Sequence, residues 1–501
     1  MARSLLDRLR EVQERGRVES GSETPHSDAA SSTPADMGVP SVVVGGGESS
    51  SGGPMSLKAR LQALIDQQAR GRKPGGGETE RPAFFELDSA DSGAAPSPSR
   101  GYRGEPSPIV DYDYGFSGPP EDLTKLINGE VVTSAHGSFL QRDAVYRIDA
   151  RVGRTSLEKL VKALPDAARI LTASMNLVDF DPRKAAFIDT ETTGLSGGAG
   201  TAAFLVAVGF LDGDSFIVRQ YFMRDFNEER ALIRAVERDL ERFDTIVSFN
   251  GKQFDVPLLE SRFRLQRRVF RQTDRHLDML HPGRRLWKAR LESCSLQSLE
   301  RGVLGFHRED DIPGAFIPER YFEYLRRKDG RLMVPVLEHN LQDIVSLAVL
   351  TGEALAMVSE PGALPEDAFD VLSLGKVLER ADMDERSAEV YRAIAESGTG
   401  RARTDATVRL AYRAKARKLH DEAERLWRAA AALASAIAHR ELAMLLEHTR
   451  RNKVEALRIV DDGLDLVSGR SDLASLEDDL LKRRIRLTRP KKSSSTGPAA
   501  E

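Results

Sequence analysis

Ala203 to Leu211 is apolar throughout. A run of that kind reads as a buried strand, covered on both faces, and so demands layers packed above and below it. Asp212-Gly213-Asp214 then makes a hairpin turn, and Ser215 to Phe222 returns beside the run. A strand over Ala185 to Glu191 precedes the hairpin, and Thr245 to Phe249 supplies another after it. Between them, Asn227 to Arg242 has helical periodicity with acidic residues at its start, where the helix dipole favours them. Three successive strands, a helix and a fourth strand specify an α/β layer architecture: a mixed sheet flanked by helices.

The first strand carries the chemistry. Phe187-Ile188-Asp189-Thr190-Glu191-Thr192-Thr193-Gly194-Leu195 places Asp189 and Glu191 two apart, hence on one face of a strand. Thr192, Thr193 and Gly194 break the strand and leave both acids near its end. Paired carboxylates repel unless a cation sits between them, so the functional reading is a hard-cation site for Mg²⁺ or Mn²⁺. The plain reading is a polar strand edge with two solvated acids, which a lone Asp-x-Glu usually is.

Two later acids change those odds. Asn250-Gly251-Lys252-Gln253-Phe254-Asp255 follows the fourth strand, with Gly251 allowing a sharp exit and Asp255 at the start of the next helix. By itself Asp255 reads as a helix N-cap, and Phe254 is expected to pack that helix. In His339-Asn340-Leu341-Gln342-Asp343, residues 339 and 343 are one helical turn apart and share a face beside the stripe Leu337, Leu341, Ile344, Val345 and Ala348. Taken alone, that is an exposed polar face.

Arg262, Arg264, Arg267, Arg268, Arg271 and Arg275 cluster between these segments, followed by Arg284, Arg285, Lys288 and Arg290 around Trp287. They read as a phosphate-contacting strip with an aromatic available for stacking, or equally as a solvated face paired to acids. Lys252 is a further phosphate contact or a plain loop lysine. Asp278 is an extra acid whose structural role is the better reading.

The net charge of −4 gives no global sign of nucleic-acid binding, and Cys294, the only cysteine, excludes an intrachain disulfide. No signal peptide is visible, and Ala202 to Leu211 is too short to span a bilayer. A cytoplasmic location with no membrane partner is expected. Residues 1–120 read as mostly disordered, being rich in Gly, Ser, Pro and Glu, with two short amphipathic helices at 4–16 and 56–70. Those helices are near-duplicates: Ser4-Leu5 with Arg8-Leu9 recurs as Ser56-Leu57 with Arg60-Leu61. They are docking motifs on a tether, or marginal helices with no specific role. Residues 121–180 read as a hairpin and helical lead-in, turning near His136-Gly137. The core spans 181–356. Residues 366–480 read as helical repeats of tetratricopeptide type, because Ala388, Ala423 and Ala456 step by 35 and 33 residues. A basic, flexible tail fills 481–501.

The ordered set Asp189-x-Glu191, Asn250-x-x-x-Phe254-Asp255 and His339-Asn340-x-x-Asp343 resembles the three exonuclease motifs of the DEDD group in the ribonuclease H-like superfamily. The match covers roughly residues 184–355. Arg284-Arg285-Leu286-Trp287 and Asp311-Ile312-Pro313-Gly314, with Ile317-Pro318, extend the likeness to the bacterial YprB-type ribonuclease H-like family. One departure is clear. The usual subgroups have a tyrosine four residues before the last aspartate or a histidine five before it; this chain has His339 at four, one helical turn, so it can still face the site.

The resemblance implies a metal-dependent 3′–5′ exonuclease acting on single-stranded nucleic acid, DNA or RNA, with two Mg²⁺ or Mn²⁺ ions clamping the attacking and leaving oxygens. It implies metal-holding and catalytic roles for Asp189, Glu191, Asp255 and Asp343, and a water-orienting role for His339. Thr192, Asn250, Lys252, Arg284, Arg285 and Trp287 are then the expected nucleic-acid contacts. Two other readings stand beside it: a non-catalytic module that holds nucleic-acid ends, and a scaffold whose helical repeats and N-terminal helices bind protein partners.

Overall fold

The computed structural model describes residues 116–194, 200–270, 274–359 and 364–489. The expected helices at 4–16 and 56–70, Leu195, Arg271 and the end of the tail lie outside the described residues. Apart from Ser471–Leu473, the described residues belong to one compact unit.

The centre is a seven-stranded mixed sheet in the order β1-β2-β7-β6-β5-β8-β9. Its strands are β1 Glu130–Ser134, β2 Gly137–Arg147, β5 Ala185–Thr192, β6 Ala203–Asp212, β7 Ser215–Phe222, β8 Thr245–Ser248 and β9 His276–Asp278. A separate small hairpin, β3 Arg151–Val152 with β4 Thr155–Ser156, accounts for the remaining two strands. From β1 through β5 all neighbours are antiparallel, whereas β5-β8-β9 are parallel. The hairpin at His136-Gly137 and the return at Asp212-Gly213-Asp214 fall where the turn residues place them. The three-residue β9, too short for a periodic signal, is a strand the pattern does not show.

Every β6 residue from Ala203 to Leu211 is buried, as its composition demands. Helix α1 (Glu229–Leu240) packs against β2 and β7, and α2 (Asp255–Leu265) contacts β5 and β6. Helix α3 (Leu280–Trp287) follows β9. Helix α4 (Ile317–Arg327) brings Tyr321 flat against Phe204, ring centroids 3.9 Å apart. The longest helix, α5 (Val334–Ser359), lies across β5, β6 and β7. By length and hydropathy α5 passes for a membrane span, yet most of it is buried inside this fold. At Gly209 of β6 a Cβ would lie 2.5 Å from the Ile344 side chain of α5 and 2.7 Å from the Phe216 ring, so only a glycine lets the helix settle onto the sheet.

An all-helical region follows: α6 Ala368–Arg380, α7 Asp384–Ser397, α8 Gly400–Ala416, α9 His420–Ala432, α10 Ala436–His448, α11 Lys453–Val467 and α12 Ala474–Thr488. Its pairs recur. Left-handed residues Asp382, Lys418 and Arg451 close the turns inside successive pairs, and Ala388, Ala423 and Ala456 are all buried. Arg290, after α3, pairs with Asp370 of α6 at 2.9 Å and ties the helical region to the sheet unit.

Candidate active site

Asp189 and Glu191 lie at the end of β5, opposite Ala207 and Leu205 of β6, with a bulge just beyond Glu191. Burial pushes both carboxyls well above their ordinary range, and repulsion from Asp343 and Asp255 pushes them further. Acids from three separate segments of the sequence converge on one strand end. Asp189 also accepts a hydrogen bond from Asn340 Nδ2 at 2.7 Å. Gln220 of β7 donates to Asn340 Oδ1 at 2.9 Å, which fixes which end of that buried amide faces the acid.

Asp255 is the first residue of α2 and is buried. Thr190, whose side chain leaves β5 on the face opposite Asp189, donates its hydroxyl to Asp255 Oδ1 at 2.6 Å and ties α2 to the strand end. Burial pushes the Asp255 carboxyl up to about 6, against the pull of that hydrogen bond.

The turn before α2 is held from below by Asp278. Its carboxylate accepts the backbone N–H of Asn250 at 2.7 Å, of Lys252 at 3.1 Å and of Leu280 at 3.1 Å. Asn250 is left-handed at φ 66°. At Gly251 a Cβ would lie 2.5 Å from Ser248 Oγ and 3.1 Å from Asp255 Oδ2, so the turn requires glycine. Ser248 Oγ accepts from the Gly251 N–H at 3.2 Å and lies 2.7 Å from His276 Nε2. Burial pushes the His276 imidazole down to about 4, and its Nδ1 is without a hydrogen-bond partner.

Helix α5 supplies the third segment. His339 Nε2 is 3.7 Å from Asp343 Oδ2 and 4.0 Å from Glu191 Oε1, while its Nδ1 is 2.7 Å from Asp311 Oδ1. Burial alone would depress the His339 imidazolium, but the bond to Asp311 and the charges of Asp343 and Asp311 outweigh it and leave the pKa raised. Asp343 Oδ1 accepts from Arg308, a residue that sequence patterning did not single out.

The expected nucleic-acid contacts divide. Lys252 and Arg284 are exposed, and Arg285 is partly so. Thr192 spends its hydroxyl on Gly194 O at 2.7 Å, and Asn250 serves the turn. Trp287 is a correction: it is 1% exposed, packed into the core beside Leu286, and has no face to offer a base. Phe254 is the opposite correction, since it stands 59% exposed next to Asp255 rather than packing α2. Within the arginine strip, Arg262 pairs with Glu229, Arg268 with Glu237, and Arg275 bonds Thr245 and the Val178 carbonyl. These three serve the scaffold, whereas Arg264 and Arg267 are exposed.

Among the described residues, no three acid, histidine or cysteine side chains already close into a metal-holding set. The donor types nonetheless suit a hard divalent cation: carboxylate oxygens, recessed and repelling one another at one strand end.

Residues 186–355 match a family model, RNase_H_2, described as RNase_H superfamily. Over 366 residues the chain is 28% identical to "Uncharacterized protein YprB" of Bacillus subtilis (strain 168), covering 71% of this chain and 86% of that protein. Among solved structures, the family B DNA polymerase from the hyperthermophilic archaeon Pyrobaculum calidifontis aligns over 60% of this chain at 16% identity and a TM-score of 0.30. The alignment spans half of that polymerase chain, 50% of its length.

Proposed function

We propose that this chain, whose residues 186–355 form an RNase H-like domain, is a metal-dependent nuclease, and specifically a 3′–5′ exonuclease hydrolysing phosphodiester bonds of single-stranded nucleic acid. The observation that carries the reading is the convergence of Asp189, Glu191, Asp255 and Asp343 with His339 at the end of β5. RNase H-like domains generally use divalent metals. Asp189 would contribute to holding two Mg²⁺ or Mn²⁺ ions, with Glu191 and Asp343 toward one and Asp255 toward the other. When bound, such ions supply charge neutralisation at phosphorus and a more acidic water.

The protein's own groups do the rest. Asn340 and Thr190 each engage one carboxylate oxygen, of Asp189 and Asp255 respectively, and orient the other. Asp311 holds His339 Nδ1, so Nε2 is the nitrogen turned to the acids, where it can take a proton from a water. Exposed Phe254 and Lys252, on the turn into α2, offer a stacking face and a phosphate contact beside Asp255. The C-terminal helical region, read as tetratricopeptide-like, would serve protein partners.

The test is cleavage of 5′-labelled single-stranded DNA and RNA by the full chain with Mn²⁺, Mg²⁺ or EDTA, alongside Asp189→Asn. A metal-dependent ladder shortening from the 3′ end, absent in the variant, is expected. Binding without cleavage under every metal would replace the enzyme with a non-catalytic nucleic-acid module.

A further inference from the structure

Arg308 sits between α3 and α4, outside every sequence segment used so far, with its side chain 8% exposed. All three of its guanidinium nitrogens donate to carboxylates. Nε donates to Glu300 Oε2 at 2.7 Å and Nη2 to Glu300 Oε1 at 2.5 Å, a two-pronged pairing with a carboxylate that is itself buried. That fork fixes the plane of the group. The remaining donors then point in set directions: Nη2 to Asp343 Oδ1, and Nη1 to Asp311 Oδ2 at 3.2 Å.

Both of those acids belong to the third segment of the site. Asp343 has Oδ1 taken by Arg308, which leaves Oδ2, 3.7 Å from His339 Nε2, as its free oxygen. Asp311 uses Oδ2 on Arg308 and on Gln297 Nε2 at 2.9 Å, and Oδ1 on His339 Nδ1 at 2.7 Å. The nearer Asp311 oxygen, rather than Arg308 Nη1 at 3.4 Å, is the partner of His339 Nδ1. The Nδ1 proton is thereby assigned, and Nε2 is left facing Glu191 and Asp343.

We propose that Arg308 is a positioning residue of the candidate active site: anchored by Glu300, it sets the free oxygen of Asp343 and, through Asp311, the ring orientation and tautomer of His339. The proposal rests on the nuclease reading and assigns a role within it. A lysine cannot substitute. Its ammonium can balance charge, but it lacks the planar fork that reaches three carboxylates at fixed angles. A residue that only neutralised Glu300 would tolerate that change, so the lysine variant separates positioning from charge balance.

The experiment uses the full chain, wild type against Arg308→Lys, with Arg308→Gln/Glu300→Gln as a second variant that removes the buried pair together and leaves no unpaired Glu300 charge. Mn²⁺ binding is measured by titration calorimetry, and the His339 tautomer by ¹⁵N NMR of histidine-labelled protein, assigned with His339→Gln. Expected are a 10- to 100-fold loss of Mn²⁺ affinity in both variants, the size typical of groups that orient metal ligands. The wild type should show a single Nδ1–H tautomer for His339 and the variants a mixture. Wild-type affinity and an unchanged tautomer in Arg308→Lys would overturn the positioning role while leaving the nuclease reading intact. A wild-type protein that binds no Mn²⁺ would sink the nuclease reading and this role with it.

Discussion

Asn340 of α5 gives its side-chain N–H to Asp189 of β5 at 2.7 Å, a bond that crosses from the third segment of the site to the first. Gln220 holds the other end of the same amide. Replacing Asn340 with Asp keeps the shape but faces the Asp189 carboxylate with another one. Asn340→Asp is expected to lose at least 100-fold in kcat/KM for the cleavage assay, and Asn340→Ala roughly 10- to 100-fold. An Asn340→Asp protein cutting at the wild-type rate would show that Asp189 needs no such donor.

Without metal, the acids at the end of β5 work against the fold. Their raised pKa values mean the folded state resists ionising them. Asp189→Asn removes one charge from the set, and metal-free protein should therefore melt at a higher temperature. Adding Mg²⁺ or Mn²⁺ at a hundred times the dissociation constant should stabilise wild type by about 2.7 kcal/mol and the variant far less. Differential scanning fluorimetry with and without EDTA measures both. A metal-free variant less stable than wild type would contradict the idea that these carboxylates repel.

His276 makes stability depend on pH. Its folded pKa, about 4, lies below the ordinary histidine value of 6.5 because burial disfavours the charged ring. Unfolded chain therefore binds more protons between those limits, and stability is full above pH 6.5 and falls as pH drops toward 4. The whole loss is on the order of 3 kcal/mol. His276→Gln keeps a polar group near Ser248 without the titration, so its acid slope should be flatter than wild type. Urea melts at pH 5 and pH 7.5 provide the comparison; parallel slopes would rule the ring out as the cause.

Phe254 and Trp287 should respond in opposite ways. Phe254→Ala removes an exposed ring and is expected to weaken single-stranded oligonucleotide binding by about 1–3 kcal/mol with the melting temperature unchanged. Trp287→Ala empties a core position and should cost about 3–5 kcal/mol of stability. Fluorescence anisotropy beside thermal melts reads both. If Phe254→Ala binds as well as wild type, the exposed ring is not a nucleic-acid contact.

Much of this molecule was legible because its signals are local. An apolar run nine residues long announces a buried strand, and a two-residue spacing puts Asp189 and Glu191 on one side of it. The order of three acidic segments carried more information than any of them singly. What escaped is what only folding brings together. Arg308 stands 35 positions from Asp343 and 8 from Glu300, with no periodicity linking them. Asn340 was visible in its motif, but its partner Asp189 is 151 positions away. Trp287 was misread because arginines flank it; the neighbouring Leu286 was the better guide, since both turn to the core. Phe254 was misread for the converse reason: a helix start gives an aromatic no obligation to pack.

The absent side chain at Gly209 has a reach out of proportion to its size. The space a methyl would take there is filled by Ile344, the residue next to Asp343. The seating height of α5 on the sheet, and with it the placement of His339, Asn340 and Asp343, is gauged by a position with no side chain. A single added carbon there, on the face of the sheet that α5 covers, would act as a shim, lifting the helix out of line with the strand acids while leaving every charged group in the sequence untouched.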